Sequence, residues 1–350
     1  MDSSQPLKVG VAQAAPVFLD REATTRRACE LIEQAGREGV DLLGFPEGFI
    51  PTHPDWFHWY PASSARSFAF ARRLYDNSVE IESPTTDLLR DAAARAKVNV
   101  VVGMCERLPQ PDVSLFNTQL FIDSDGMIVG KHQKIMPTLG ERVVHSRGSG
   151  DGLRVFTTPV GRVSGLICGE NSNPLAVMTM AAGGTQLHVA SWPSDVSRDE
   201  GGLADLIRGA SQAMAYSMGA FVLSAQAVIN DEIVHELAQT DEDARFLAGQ
   251  ALAGGSMIVA PNRTILAGPV MGPWEGVLTA EIDLKACVAA KLIHDYSGHY
   301  NRPDIFTLHV DRHASPLVVD GPWPGSRPME EKPAALDGDG VASEGPERLD

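Results

Sequence analysis

The amino-acid sequence predicts an α/β fold, with helices packed on a β-sheet. Apolar runs of strand length at residues 7–13 and 40–45 flank residues 20–38, which carry apolar side chains at helical spacing. This strand–helix–strand unit favours a sheet covered by helices, and no repeat of solenoid length is found along the chain. With 350 residues, 43% of them hydrophobic, the chain is long enough to bury a large core.

The later elements follow from the same patterns and from turn residues. Ser83 and Pro84 are typical of a helix start, and Ser124-Asp125-Gly126 is typical of a hairpin turn. Further helices are predicted at 63–75, 84–97, 175–182, 203–218 and 284–293. Further strands are predicted at 98–105, 116–123, 127–132, 154–158, 162–168, 186–191, 221–228, 256–260, 264–266 and 277–282.

The composition argues against several classes of function. The net charge at pH 7 is -16, and Lys and Arg form no dense block, so neither nucleic acid nor an anionic membrane is an expected partner. No apolar run reaches transmembrane length, and no signal-type segment precedes the first strand. The four cysteines are widely spaced, so we expect reduced thiols and a cytoplasmic enzyme.

Residues 162–174 carry the most distinctive local pattern. An apolar run of strand length ends on Cys168, a polar turn follows, and Pro174 opens a helical stretch. Free backbone N–H groups and the helix dipole at such a junction favour a thiolate, lower a cysteine pKa and can hold an oxyanion. The pattern therefore indicates a nucleophilic cysteine. The alternative is an inert buried cysteine, which is the usual state of intracellular cysteines.

A second candidate group is Glu47, which follows the strand at 40–45 among apolar neighbours. A carboxylate in apolar surroundings is a candidate for a raised pKa and so for a general base, and the alternative is a solvated glutamate at a loop start. The aromatic run from Trp56 to Tyr60 comes next. It predicts a pocket wall for an apolar substrate, a subunit contact or core packing.

Three chemically distinct residues, Glu47, Lys134 and Cys168, each fall just past a predicted buried strand. Ligand sites of α/β sheets lie at that edge. The three residue types suit hydrolysis of a carbon–nitrogen bond: the thiolate attacks carbon, the carboxylate takes the thiol proton and then activates water, and the lysine stabilises charge on the intermediates.

Five segments resemble signature blocks of the nitrilase superfamily, in the order that the family has them. Four of them belong to the superfamily at large: Gly44–Glu47, His132–Thr138, Leu166–Asn171 and His188–Pro193. The fifth, Gly298–Asp304, resembles a late block of the true nitrilase branch. Together they cover the chain from its first strand to about residue 310, and five blocks in register are a far more specific signal than one.

The resemblance assigns roles and an architecture. It implies that Glu47 is the base, Lys134 the cationic stabiliser and Cys168 the nucleophile, with Glu141 matching a second glutamate that positions the lysine. The implied fold is a four-layer α-β-β-α sandwich of the nitrilase, or carbon-nitrogen hydrolase, type. Members of the family form dimers, and true nitrilases often assemble further into spirals or filaments, so a homo-oligomer built from dimers is expected.

The implied reaction converts a small-molecule nitrile to a carboxylic acid. Cys168 adds to the nitrile to give a thioimidate, water adds, ammonia leaves, and water activated by Glu47 releases the acid from a thioester. No metal or organic cofactor is implied, and the ten histidines are dispersed without the pairing of a zinc-binding helix. His132 is either a supporting residue beside Lys134 or a structural histidine.

The residue after the nucleophile is Gly169, where many true nitrilases carry tryptophan or alanine. A glycine leaves room beside the sulfur, so we expect a bulky or α-substituted nitrile, aromatic or arylaliphatic in type. Trp56, Trp59 and Trp192 are candidate walls of the pocket, and His188 completes the set of candidate substrate-binding residues.

Three other functions remain open at this stage. An amidase of the same superfamily would use the same residues on an amide, and a cyanide-processing enzyme would prefer the smallest nitrile. A non-catalytic assembly protein on this fold would have lost at least one of the three residues, and all three are present.

The chain is expected to divide into a catalytic domain, residues 1–312, and an acidic Pro- and Gly-rich tail, residues 313–350. Because the tail has few large apolar residues, we expect it to be disordered or extended unless a partner orders it. We hypothesise that it modulates assembly. The polar, Gly-rich segment 195–202 is expected at the surface.

Overall fold

Two six-stranded β-sheets stacked face to face form the centre of the protein. The computed structural model describes residues 6–196, 202–250 and 254–313. Sheet one has the strand order β12-β1-β2-β3-β4-β5, and sheet two has the order β11-β10-β9-β8-β7-β6. In each sheet three central strands run parallel and the outer strands pair antiparallel.

The strands within the described residues are β1 Leu7–Gln13, β2 Leu42–Gly44, β3 Asn99–Arg107, β4 Leu115–Ile122, β5 Ile128–Gln133, β6 Phe156–Thr158, β7 Gly161–Ile167, β8 Leu187–Trp192, β9 Phe221–Gln226, β10 Ser256–Val259, β11 Ile265–Val270 and β12 Gly276–Ile282. The α-helices in the same ranges are α1 Arg21–Arg37, α2 Ala65–Asn77, α3 Pro84–Ala96, α4 Pro174–Ala182, α5 Leu203–Met218, α6 Asp231–Leu237, α7 Asp241–Gln250 and α8 Lys285–Ile293.

Alternating side chains distribute the strands between two kinds of core. On β3, Val100 and Val102 pack against helices α1 and α3, whereas Val101 faces the other sheet. On β8, Val189 lies between the sheets and Ala190 packs toward helices α4 and α5. Both faces of each sheet are therefore covered, and the order of layers is helix, sheet, sheet, helix. The predicted α-β-β-α sandwich is confirmed.

Most elements lie where the sequence patterns place them, but helices α6 and α7 were not predicted. Their surroundings explain why the sequence patterns did not predict them and why they are nevertheless stable. The side chain of Asn230 caps α6 by accepting from the backbone N–H of Ile233 at 3.0 Å. Ile233, Leu237 and Leu247 pack into a cluster with buried aromatic residues. Tertiary packing of a few apolar positions therefore holds two short helices that lack a strong periodic pattern.

Two predictions concern residues that the structure describes only in part or not at all. Residues 197–201 of the segment 195–202 and the tail from residue 314 lie outside the described residues. Asp195 and Val196 are described and are buried, so the predicted surface position is wrong for these two residues. Asp195 is held inside because its carboxylate accepts from the backbone N–H of Leu203, at the start of α5, at 2.9 Å. The division at residue 312 and the expected behaviour of the tail therefore stay predictions. None of the described helices has both the length and the hydropathy that a membrane span requires.

Candidate active site

The three predicted strand-end residues lie at the positions expected of them. Glu47 follows β2 by three residues, Lys134 directly follows β5, and Cys168 directly follows β7. The first two loops leave sheet one, whereas Cys168 leaves sheet two. The candidate site is therefore assembled from both sheets.

Glu47, Lys134 and Glu141 form a buried ion cluster. The Lys134 ammonium lies 2.7 Å from Oε1 of Glu47 and 2.7 Å from Oε2 of Glu141. Asn117 of β4 donates from Nδ2 to both carboxylates, at 2.7 Å each. All four side chains are at least 97% buried. Because charges buried in this way are stable only when paired and hydrogen-bonded, the cluster is held in one arrangement.

Further contacts fix Glu141 from its other side. Its Oε2 accepts from the backbone N–H of Thr138 at 2.8 Å. Thr138 is the N-cap residue of the 3-10 helix Leu139–Val143. The ring of His145 lies 3.0 Å from Oε1. Glu141 therefore positions the lysine in this structure and, with Glu47, holds it between two carboxylates.

One oxygen of Glu47 remains uncommitted. Within the described residues, Oε2 of Glu47 is buried and makes no hydrogen bond. Buried carboxylate oxygens are normally satisfied, and an exception at a functional site is informative. This oxygen therefore keeps its capacity to accept a hydrogen bond or a proton.

Cys168 begins the 3-10 helix Cys168–Ser172 with a positive φ of 50°. A non-glycine residue in this backbone region is strained and persists only where its surroundings impose it. Glu170 supplies the constraint: its carboxylate accepts from the backbone N–H groups of Ile167 at 2.9 Å and Ile135 at 2.7 Å. His132 binds the same carboxylate at 2.8 Å. His132 therefore supports the turn that carries Cys168 and makes no described contact with Lys134.

Direct hydrogen bonds tie the two sheets together beside the site. The Glu47 backbone N–H donates to the carbonyl of Trp192 at 3.1 Å, and the Ser191 hydroxyl donates to the carbonyl of Phe45 at 2.7 Å. The Gln119 side chain of β4 donates to the Ser191 hydroxyl at 2.8 Å. These contacts fix the loop of the candidate base against sheet two, which carries the candidate nucleophile.

The pKa values of Glu47 and Cys168 shift in the directions opposite to the predicted ones. Burial raises the pKa of Glu47, but the Lys134 ammonium and the His53 ring outweigh burial, so the pKa lies below its ordinary value. Burial and then the charge of Glu47 raise the pKa of the Cys168 thiol, and Lys134 offsets only part of this effect. The predictions of a raised glutamate pKa and a lowered cysteine pKa were wrong, because burial and neighbouring charges exceed the helix-end effect. The resting pair is a thiol and a carboxylate.

Cys168 opens onto a cavity of about 320 Å³ that also exposes Lys134 and Glu141. Of the candidate substrate-binding residues, Gly169 and Trp192 line this cavity. A Cβ atom added at Gly169 would meet no other atom within 4 Å, so the space beside the sulfur is open. Lys134, Glu141, the Cys168 thiol and this open space therefore meet at one cavity, whereas Glu47 is not among its lining residues.

Three other candidates lie outside the cavity wall. Trp56 is fully buried and packs on Phe57 and Phe70, with ring centroids 5.3 and 5.4 Å apart. Trp59 belongs to the same aromatic core cluster. The His188 ring is fully buried, 2.8 Å from the Ser164 hydroxyl and 3.0 Å from Oδ1 of Asn171. The side chains of these three residues are packed in the core and do not line the cavity, so their role in this structure is to support the scaffold.

The sequence patterns missed several residues of the wall. His53 faces the cavity, with its Nε2 3.4 Å from Oε1 of Glu47 and its Nδ1 2.6 Å from Oδ1 of Asp55. Phe57, Leu203 and Leu206 add apolar surface from other parts of the chain. The aromatic run after Glu47 was a signal for Phe57, but no local pattern connects the start of α5 with this loop.

Three residues in and beside the ion cluster are of types that bind metal ions. One ligand atom from each of Glu47, His53 and Glu141 lies within 4.8 Å of the others. The Lys134 ammonium already contacts both carboxylates at 2.7 Å. The charge that these carboxylates require is therefore supplied by the protein, and the residues do not fit a metal centre while that lysine is in place.

A second cysteine makes a contact of catalytic type. Sγ of Cys105 lies 3.0 Å from Nε2 of His145, whose Nδ1 faces Glu141, so the three residues form a chain with the order of a catalytic triad. Cys105 is fully buried in β3 and also accepts from the Ser78 hydroxyl at 3.2 Å. It does not line the cavity that Cys168 reaches.

Comparisons with known proteins show the family to which the chain belongs. The sequence profile of the carbon-nitrogen hydrolase family matches residues 8–292. A protein named nitrilase 2, from an unknown prokaryotic organism, is 40% identical over 89% of this chain and 94% of its own length. A nitrilase from Pseudomonas syringae pv. syringae (strain B728a) is 37% identical over 91% of this chain and 94% of its own length. Among solved structures, the C. elegans NitFhit protein superposes with a TM-score of 0.66 at 19% identity, covering 90% of this chain and 69% of that one.

The chain therefore belongs to the carbon-nitrogen hydrolase family and folds as its members do. Its relatives place it in the nitrilase branch of the superfamily, and it is a hydrolase that acts on carbon–nitrogen bonds. The predicted family and enzyme class are confirmed.

Proposed function

We propose that this protein hydrolyses an organic nitrile to the carboxylic acid and ammonia, with Cys168 as the nucleophile and Glu47 as the general base. The observation that carries the proposal is the pairing of an accessible thiol with an uncommitted, buried carboxylate oxygen. Oε2 of Glu47 has no described hydrogen-bond partner, and its Oε1 is held by Lys134 and Asn117. One face of the carboxylate is fixed and the other is free to take a proton.

The first half of the reaction begins from the neutral thiol. Because burial raises the pKa of Cys168, its proton moves to Glu47 as sulfur attacks the nitrile carbon. Glu47 then delivers this proton to the nitrile nitrogen, which gives a thioimidate. The carboxylate is regenerated and can activate a water molecule in the same way.

Water converts the thioimidate into a tetrahedral adduct whose carbon carries a hydroxyl group, an amino group and the covalently bound sulfur of Cys168. Loss of ammonia from this adduct leaves a thioester. A second water molecule, deprotonated by Glu47, attacks the thioester carbon, and Cys168 leaves with a proton while the carboxylic acid is released. Two water molecules are consumed for each nitrile, so the atoms balance.

Lys134 stabilises the charge that develops in these steps. It faces the cavity and is held between two carboxylates, which raise its pKa although burial opposes this. The ammonium therefore stays charged throughout the reaction. A fixed cation in a cavity of low dielectric constant needs no reorganisation when charge appears on the substrate.

The cavity supports an apolar substrate of modest size. Trp192, Phe57, Leu203 and Leu206 supply its apolar surface, and its volume is about 320 Å³. The open space beside Gly169 accommodates a ring or an α-substituent next to the reacting carbon. These features favour an aromatic or arylaliphatic nitrile over cyanide, for which so large an apolar cavity provides no contacts.

Ammonia release tests the proposal. The panel comprises an arylacetonitrile, benzonitrile, an aliphatic nitrile, cyanide and the matching amides, with Cys168→Ala as the test variant and Cys105→Ala as its matched control. We expect activity on an organic nitrile that disappears in Cys168→Ala and persists in Cys105→Ala. Loss in Cys105→Ala with retention in Cys168→Ala would move the nucleophile to the second cysteine, and turnover of amides alone would make the protein an amidase.

Assembly, location and domain division belong to the same proposal. We propose a homo-oligomer built from dimers, a cytoplasmic location, and a catalytic domain that ends near residue 312. Size-exclusion chromatography with light scattering tests the first of these, and a monomer at working concentration would contradict it.

A further inference from the structure

We propose that His53, held by Asp55, is the acid that protonates the departing nitrogen and thereby sets the ratio of acid to amide product. This inference rests on the proposed nitrile hydrolysis and extends it to a step that Glu47 and Lys134 leave unassigned.

Two carboxylates flank the His53 ring, and their charges favour its doubly protonated form. Nδ1 of His53 lies 2.6 Å from Oδ1 of Asp55, and Nε2 lies 3.4 Å from Oε1 of Glu47. A neutral imidazole has one donor nitrogen and one acceptor, so it cannot donate to carboxylates on both sides, whereas an imidazolium can. In agreement, the two carboxylates raise the pKa of His53 to about 10 against the opposing effect of burial.

The two contacts of the His53 ring differ in length, and the difference indicates which nitrogen can donate to a substrate. The Asp55 contact is short, and Oδ2 of Asp55 accepts from the Ser194 hydroxyl at 2.6 Å, so the ring is anchored on that side. The Glu47 contact is long, and the ring faces the cavity. The Nε2–H group is therefore the one that can turn toward a bound intermediate. Asp55 acts as a positioning residue.

The tetrahedral adduct needs such a donor. Its carbon carries the substrate group, a hydroxyl, an amino group and the sulfur of Cys168, and either the C–N or the C–S bond can break. An amino group is a poor leaving group until it is protonated, whereas sulfur leaves readily. Without an acid at the nitrogen, the adduct therefore releases an amide.

The proposed step balances its atoms and charges. His53 donates its Nε2 proton to the amino nitrogen, the C–N bond breaks with its electron pair going to nitrogen, and ammonia leaves. Glu47 takes the hydroxyl proton as the thioester carbonyl forms. A water molecule then relays the proton from Oε2 of Glu47 to Nε2 of His53, which restores both groups before the thioester is hydrolysed. In the competing path the C–S bond breaks, sulfur regains its proton, and the amide diffuses away.

The test measures product composition and not only rate. His53→Gln and Asp55→Asn are compared with wild type and with His58→Gln, which removes an exposed imidazole from the same cavity wall. Acid and amide from one turned-over nitrile are quantified by chromatography. A positioned general acid contributes about 10²–10⁴-fold to its step, so the amide-to-acid ratio should rise at least roughly tenfold in His53→Gln and rise in Asp55→Asn, with no change in His58→Gln.

Several outcomes would overturn the inference. An unchanged amide-to-acid ratio in His53→Gln would do so, and so would complete loss of turnover in both variants, since the proposal confines His53 to one branch of the reaction. Should only His53→Gln be inactive, the ratio in Asp55→Asn decides. Persistence of nitrile turnover in Cys168→Ala would instead contradict the proposed function itself, so the two failures are distinguishable.

Discussion

Replacing Lys134 with methionine should destabilise the fold as well as abolish catalysis. The side chain is 1% exposed and its ammonium contacts Glu47 and Glu141 at 2.7 Å each. Methionine preserves much of the volume but leaves two buried carboxylates without their shared cation. Removal of one partner from a buried ion pair costs about 3–5 kcal/mol, and we expect a loss of this size in the free energy of unfolding at pH 7.

The loss should depend on pH in a definite direction. In wild type the pKa values of Glu47 and Glu141 are lowered, so their stabilisation is present above the ordinary carboxyl pKa of 4.5 and is lost as the pH falls. In Lys134→Met, burial without the ammonium raises these pKa values. The folded variant then holds protons that the unfolded chain releases, so its stability falls as the pH rises above 4.5. The two proteins should therefore differ most at neutral pH and converge toward pH 5.

Urea unfolding at pH 7 and pH 5, at one protein concentration, measures both effects. Lys97→Met is the matched control, because Lys97 pairs with Asp125 at 3.1 Å and both side chains are at least 70% exposed. Exposed pairs contribute about 0–1 kcal/mol. If Lys134→Met were no less stable than Lys97→Met, or lost the same amount at both pH values, the description of the cluster as a buried, charged unit would be refuted.

Three further predictions concern the cavity, the base loop and the tail. Gly169→Trp should fold, since no atom lies within 4 Å of the added Cβ, and should lower kcat/KM for bulky nitriles relative to small ones; an unchanged substrate range would contradict the proposed role of this position. Gly103→Ala places a Cβ 1.9 Å from the carbonyl of Pro46, so it should displace Glu47 and reduce kcat by roughly tenfold or more, since a small misplacement of a reacting group is costly; full activity would show that the loop can yield. Truncation after residue 312 should change oligomer size but not kcat, and an unaltered elution volume would exclude a role in assembly.

Local sequence patterns were sufficient to predict those elements whose structure is determined within one segment of the chain. β1 and α5 have the predicted bounds, because alternating or helical apolar spacing there coincides with burial. Glu47, Lys134 and Cys168 could be picked out because each lies within three residues of a strand end and inside a family block. The sandwich itself came from the resemblance, since nothing local tells a strand which of two sheets it joins.

The remainder of the site depends on contacts between distant segments. Trp56 and Trp192 look alike in the sequence, yet one fills an aromatic core and the other lines the cavity. Asn117 and His145 carry no local signal and reach the cluster only after β4 and the turn beyond β5 have packed together. The pKa of Cys168 was predicted in the wrong direction because burial of the thiol, and after it the charge of Glu47, come from segments that are far away in the chain.

The hydrogen bonds that join the two sheets have a consequence for how this enzyme would fail. Glu47 and Lys134 follow strands of one sheet and Cys168 follows a strand of the other, so the distance for the proposed proton transfer is set by the offset between sheets. A small sliding motion, with every strand intact, would separate the thiol from its base. Under heat or pressure, activity should therefore be lost before the far-ultraviolet circular dichroism changes, and the gap between the two midpoints would report how firmly Gln119 and Ser191 hold the sheets in register.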